Sequence, residues 1–327
     1  MESVRGRHVM HARWLAMVVE MILAAVVVVG LLASGSAFPI LGVFLSLLSP
    51  VPFVLLRLRH GFLALVLGLA LTSLAVTGLS SPEEAVVFLL EFGLPAMLLA
   101  EALRRGSRPE LAVTAVAALL TLGGLTALVL ASDAWRHPLS AVSQHVERLL
   151  ADMEAFTARL GLSAEGGAPL SGAGAKLRTF LLMAFPGMFF AGSLLTAAGY
   201  VFLARGLMRR WSAQLGGVSP EPLRWELPEL LVWVFIGAAV SYLTGLPWLQ
   251  AVGLNVLIVL IGLYFLQGLS IAAFLFQRFH LPRFLGALSV LLLLFQPFLT
   301  LVVAGLGLFD VWFAFRQLSL PKTPGRT

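Results

Sequence analysis

Long apolar runs separated by short polar turns organise this chain. A helix needs about 20 apolar residues to cross roughly 30 Å of hydrocarbon. The runs at 14–33, 38–56, 62–79, 85–103, 111–132 and 179–204 are read as six spans on that basis. Glu20 is the only charge in the first, Pro50 and Pro52 interrupt the second, and Glu91 lies inside the fourth. From 230 to 277 there is no charge at all, a stretch too long for one helix. Gly245-Leu246-Pro247 is the expected break, which adds spans seven and eight. The last apolar stretch, 284–315, has two solutions. As one helix it places Arg316, Lys322 and Arg326 across the bilayer from the other basic clusters. As a hairpin turning at Gln296-Pro297 it returns the tail, but each arm is then only about 15 residues or about 22 Å. The hairpin is favoured. The predicted fold is an all-α, polytopic transmembrane bundle of about nine to ten membrane-spanning helices, with one extracytoplasmic amphipathic helix.

That extra helix comes from the one substantial aqueous segment, 133–178. Leu139, Val142, Val146, Leu149, Leu150, Met153, Phe156 and Leu160 recur at three- and four-residue steps, with Gln144, Glu147, Arg148, Asp152, Glu154 and Arg159 on the other side. A Gly-, Ala- and Ser-rich return loop follows at 163–174. Because the helix is not rich in basic residues, it is expected to pack on its own bundle rather than lie among anionic headgroups.

Composition removes the soluble classes. Of the 327 residues, 59% are hydrophobic and 12% charged, against about 45–50% and about 25% in soluble domains. The net charge of +6 would suggest nucleic acid in a soluble protein. Here the basic residues sit in short clusters between apolar runs, where membrane orientation requires them, so no nucleic acid is expected. With the N-terminus inside, the inner segments carry Arg5, Arg7, Arg13, Arg57, Arg59, Arg104, Arg105, Arg108, Arg205, Arg209, Arg210, Arg224, Arg278 and Arg283, and the short outer loops carry no Lys or Arg. This predicts a multi-pass membrane protein with a cytoplasmic N-terminus. The first span resembles a signal peptide in its Arg-rich start, but its apolar run exceeds the usual 7–15 residues, so it is expected to remain. The expected organisation is a cytoplasmic tail at 1–13, a six-helix bundle at 14–210, a cytoplasmic loop at 211–229, further transmembrane helices at 230–316 and a polar tail at 317–327.

Little in the sequence points to catalysis. It has no cysteine and no Walker, HExxH, GxSxG or DxD-type motif. Its six histidines show no paired ligand spacing. No enzyme activity, metal site or cofactor is expected. The informative residues are polar ones at membrane depth, where a charge is costly and a functional role is the default hypothesis. Glu91 leads, because Gly93 and Pro95 follow it and can open the helix. Glu20 lies about 10 Å in from the inner end of its span. Some 10 Å of depth separates it from Glu91, so a direct dyad is not expected. Asn255 and Gln267 are candidate substrate-binding groups, with interhelical hydrogen bonding the alternative. Asp310 is expected in a structural pair with Arg316. Gly123-Gly124 is expected to let helices approach closely.

The ordered set of a proline-broken 39–61 segment, Glu91-Phe-Gly-Leu-Pro95 with Arg104-Arg105, Arg224-Trp-Glu-Leu-Pro228, Leu266-Gln-Gly268 and Gly307-Leu-Phe-Asp310-Val-Trp312 resembles the YybS-like family of bacterial multipass membrane proteins. That family is in turn distantly similar, in its first six helices, to the substrate-specificity components of energy-coupling-factor transporters. The resemblance implies a six-helix bundle with both ends cytoplasmic that binds a small solute near the outer face. The helices after Trp225 depart from that pattern. Expected partners are therefore the lipid bilayer, a small-molecule solute and membrane proteins, either a coupling subunit or envelope proteins. The expected function is solute-binding or transport-related, with the 133–178 segment as a cover. The alternative is an envelope scaffold or regulator acting through partner helices.

Overall fold

A computed structural model describes residues 2–37, 45, 47–131, 138–159, 171–210, 225–279, 282, 284–286, 289, 292–293 and 296–313. Among these residues every regular element is helical and none is a strand. The chain divides into two compact units, Met1–Ala141 with Thr196–Pro222, and Val142–Leu195 with Leu223–Thr327.

The first unit holds α1 (Glu2–Ala37), α2 (Pro50–His60), α3 (Phe62–Leu79), α4 (Pro82–Phe88), a π-helical turn (Leu89–Gly93), α5 (Leu94–Arg104) and α6 (Pro109–Ala131). α1 packs on α3 and α2, α2 on α3 and α5, and α5 on α6. Met21 and Val28 of α1, Phe53 and Leu56 of α2, Leu65 of α3 and Phe88 of α4 share one apolar core. The run at 38–56 is broken at its prolines, as expected: residues 47–49 form a turn, and the prolines at 50 and 52 follow it. They start α2, because a proline in the first turn lacks an N–H that has no intrahelical acceptor anyway. The helix then runs on through Arg57, Arg59 and His60 and stops at Gly61, whose φ of +94° suits glycine alone. Residues 38–44 of the expected second span lie outside the described residues.

α7 (Pro138–Arg159) is the expected amphipathic helix, and α8 (Ser171–Arg210) carries Pro186 in its interior. At 40 residues α8 is about 60 Å long, well over a bilayer crossing. Within the second unit α7 packs on the start of α8. Val146 is buried, His145 meets Phe185 edge-on at 6.1 Å, and Glu147 pairs with Arg178 at 2.6 Å. The return loop, including Ser163, lies outside the described residues.

α9 (Leu230–Leu243) and α10 (Pro247–Arg278) are separated where the sequence predicts, at Gly245 (φ +74°) and Pro247. α11 (Pro297–Phe313) begins at the expected Gln296-Pro297 break. Val232, Leu260, Tyr264 and Ala304 form the core of α9, α10 and α11.

Among the described residues six helical stretches are long and apolar enough to cross a bilayer: Trp14–Ser34, Phe62–Leu79, Pro82–Arg104, Pro109–Leu130, Lys176–Met208 and Pro247–Arg278. Leu230–Leu243 and Phe298–Phe313 are apolar but shorter. The expectation of nine to ten spans counted these two as full crossings and relied on residues beyond those described. Large apolar side chains face outward along these helices, among them Trp14, Leu74, Phe202, Trp233 and Leu243, as a lipid-facing surface requires.

Candidate functional site

The first unit gathers its charges at one end. Glu20 of α1 accepts from Arg59 at 3.1 Å, and His60 Nε2 lies 3.2 Å from its other oxygen, within ion-pair range though not aligned as a hydrogen bond. Arg57, nearly enclosed, donates to Glu101 at 2.9 Å, and Glu101 also accepts from Arg105 at 2.8 Å. Arg57 additionally lies 5.7 Å from the centroid of the Phe62 ring. Arg205 of α8 donates to the Ser107 carbonyl at 3.3 Å. The basic tail of α2 thus ties α1 to α5. A carboxylate in a low-dielectric environment is tolerable when its charge is matched and its lone pairs are used, and Glu20 has both.

Glu91 is different. It sits in the π-helical turn Leu89–Gly93, where the Leu94 amide reaches back five residues to the Leu89 carbonyl rather than four. Such a turn widens the helix and re-aims its side chains, and it recurs at functional sites. Neighbouring helices hold the turn tightly. A Cβ at Gly123 of α6 would lie 2.9 Å from the Leu90 carbonyl oxygen, and one at Gly93 would lie 3.1 Å from the Leu89 side chain. Gly123 is therefore a close-approach residue. Glu91 is half-buried and, among the described residues, no hydrogen bond or ion pair reaches it. It stands ten residues before Glu101, about 15 Å along the helix from the charged end, so Glu20 and Glu91 form no dyad.

Tyr200 of α8 is a further polar group within a predicted span. It is 3% exposed, and its hydroxyl has no hydrogen-bond partner among the described residues. The sequence reading missed it. One of three tyrosines in the chain, it lies within a predicted span, and a polar-tipped aromatic at that depth was the available signal.

The second unit holds the other two candidates. Asn255 of α10 is inserted into α8 beside Pro186. Its Nδ2 donates to the Met183 carbonyl at 2.8 Å and to the Ala251 carbonyl at 2.7 Å, while its Oδ1 accepts from the Gly187 amide at 2.5 Å. In an unbroken helix the Gly187 amide would bond to Met183 itself. The Asn255 amide bonds to both of these backbone groups. Only glycine fits at 187, because a Cβ there would be 2.8 Å from Asn255 Oδ1 and 2.9 Å from its backbone.

Gln267, 3% exposed, accepts from the Leu227 amide at 3.2 Å and donates to Asp310 at 3.3 Å. Ser270 accepts from the Trp225 amide at 3.4 Å. The Trp-Glu-Leu-Pro segment is thereby fixed to α10, with the Trp225 ring buried. The amides of Asn255 and Gln267 are occupied by protein groups. Asp310 bonds to Gln267, and its expected partner Arg316 lies outside the described residues.

No set of three or more His, Cys, Asp or Glu side chains among the described residues is placed to hold a metal ion. Chemically, Glu91 offers one carboxyl group with no hydrogen-bond or ion-pair partner among the described residues, within a membrane-spanning helix.

A family model described as "Predicted membrane protein (DUF2232)" matches residues 23–311, and the chain belongs to that family. No curated protein and no solved structure matches it.

Proposed function

We propose that this member of a family of predicted membrane proteins is a solute-binding, transport-related protein whose solute meets Glu91. One observation carries the proposal. Among the described residues Glu91 lacks the counter-charges that Glu20 and Glu101 possess, yet it is held at mid-span in a turn that Gly123 of α6 approaches closely. An unpaired carboxylate there costs several kcal/mol unless something compensates it, and a bound solute or the water of an open site supplies that compensation. The sequence carries no nucleotide-binding motif, so energised transport requires a separate ATPase and coupling subunit.

The test compares Glu91→Gln with Glu91→Leu. Native mass spectrometry of the purified protein should find a co-purifying small molecule in the wild type and lose it in Glu91→Gln, with expression and melting temperature maintained. A Glu91→Leu variant that keeps both the bound molecule and the cellular phenotype would remove Glu91 from any site. It would favour a scaffold acting through helix–helix partners.

A further inference from the structure

A dense cluster of arginines closes the turn between α5 and α6. We propose that this turn, with Arg205 of α8 docked on it, binds the phosphate headgroup of an anionic phospholipid; Glu91 takes no part in it. Arg104 ends α5, and Arg105, Gly106, Ser107 and Arg108 lead into α6. The turn is held by its own backbone. The Arg105 amide donates to the Glu101 carbonyl at 3.0 Å, the Ser107 amide donates to the Ala102 carbonyl at 3.0 Å, and Gly106 reverses the chain at φ +65°. Arg205 donates to the Ser107 carbonyl at 3.3 Å, which brings a fourth guanidinium to the same turn. Arg104, Arg105 and Arg108 are exposed. Among the described residues nothing lies within 4 Å of a Cβ placed on Gly106, so the turn is open to a ligand.

The charge of this turn is not balanced from within. Glu101 is shared between Arg57 and Arg105, and the turn and the helix ends it joins hold one other carboxylate, Glu110. Among the described residues no ion pair or hydrogen bond reaches the guanidinium of Arg104 or Arg108. Membrane orientation asks only for positive charge near a span. It does not ask for guanidiniums gathered on one turn from positions about a hundred residues apart, as Arg108 and Arg205 are. A phosphodiester supplies what they lack, because its oxygens only accept and match the guanidinium fork with two parallel hydrogen bonds. The surroundings select a lipid over a free anion. Two candidate spans, Pro82–Arg104 and Pro109–Leu130, end and begin at this turn, which places it at the edge of the hydrocarbon. The Arg108 carbonyl accepts the Ala112 amide at 3.1 Å, so Arg108 continues the geometry of α6. Leu111, Ala115, Ala118 and Leu122 follow it at three- and four-residue steps and are exposed or half-exposed. An acyl chain lies along that apolar stripe while its phosphate stays at the arginines. Nucleic acid or an acidic protein would leave the stripe unused.

The test uses purified full-length protein, delipidated in a neutral detergent, and follows its melting temperature as lipid is added to the micelles. The probes are phosphatidylglycerol, phosphatidylcholine with the same acyl chains, and inorganic phosphate. Phosphatidylglycerol is expected to stabilise the wild type, phosphatidylcholine to need about tenfold more lipid for the same shift, and inorganic phosphate to be inert. An arginine near an anionic lipid contributes about fivefold in affinity. Arg104→Gln and Arg108→Gln should therefore each weaken the phosphatidylglycerol response by about fivefold, and the double variant by about twenty-fivefold. Both side chains are exposed and unpaired among the described residues, so the lipid-free melting temperature should stay at the wild-type value. The single variants carry the same reading if the double variant is poorly folded. Arg278→Gln, at an exposed position ending α10, controls for diffuse attraction and should leave the response unchanged. Equal stabilisation by the two lipids, an undiminished response in the double variant, or an equal loss in Arg278→Gln would each overturn the proposal. Stabilisation by inorganic phosphate with phosphatidylglycerol inert would assign the turn to a soluble anion and overturn it as well.

Discussion

Asn255 shows how one side chain repairs a helix. Pro186 removes an N–H from the ladder of α8, and Asn255 bonds to the adjacent Met183 carbonyl and Gly187 amide. The inserted amide satisfies both exposed backbone groups and uses all of its own hydrogen-bonding capacity apart from one lone pair. Replacement by leucine keeps much of the volume and removes every one of these bonds. Asn255→Leu is expected to lower stability by about 1–3 kcal/mol, the range for leaving buried polar groups unpaired, measured by thermal or denaturant unfolding in detergent. Stability equal to wild type would mean that Met183 and Gly187 re-form their own bond at no cost. Glu91 makes the complementary case. It is a polar group left without a protein partner, and its removal is expected to affect the bound solute before it affects the fold.

At the scale of helices, α10 and α11 meet through glycine. A Cβ at Gly307 would strike the Tyr264 carbonyl oxygen, and one at Gly268 would strike the Val303 carbonyl oxygen. The backbones are therefore in direct contact, which is how helices gain dispersion energy where lipid offers no hydrophobic driving force. Alanine is ordinarily the better helix former by about 1 kcal/mol. At 307 the sign reverses. Gly307→Ala is expected to destabilise by about 1–3 kcal/mol through overpacking. Gly237→Ala, where nothing lies within 4 Å, should be neutral or slightly stabilising. Melting temperatures of the two variants side by side decide the matter, and a similar response at both positions would contradict the close crossing. The α2 helix teaches a related point. Its prolines follow the turn at 47–49 that breaks the apolar run, and both sit in a first turn, where they do no harm.

For the whole molecule, the charge distribution makes a topological prediction. The ion pairs of Glu20, Arg57, Arg59, Glu101 and Arg105 collect at one end of the first unit. By the positive-inside rule that end belongs to the cytoplasm, and alternation of the spans then places α7 on the outside. The chain has no cysteine, so a single Gln144→Cys, at an exposed position of α7, gives an unambiguous label. It should react with a membrane-impermeant thiol reagent in intact cells. Labelling only after lysis would invert the orientation.

Helix identity and membrane residence were legible from the sequence because both depend on local pattern. A charge-free window near 20 residues long has few alternatives to a spanning helix, and 62–79, 109–131 and the break at Gly245-Leu246-Pro247 follow from it. Shorter or proline-edged runs were less legible, as 38–56 and 230–243 show, because hydropathy fixes apolar content and not where a helix starts. Pairing was not legible at all. Glu20 meets Arg59 across 39 positions, and Asn255 meets Met183 across 72. Sequence separation carries no information about which helices become neighbours in a bundle of similar apolar rods. Whether a buried polar residue is a satisfied clip, like Asn255, or lacks a partner, like Glu91, was therefore decided only when the helices packed.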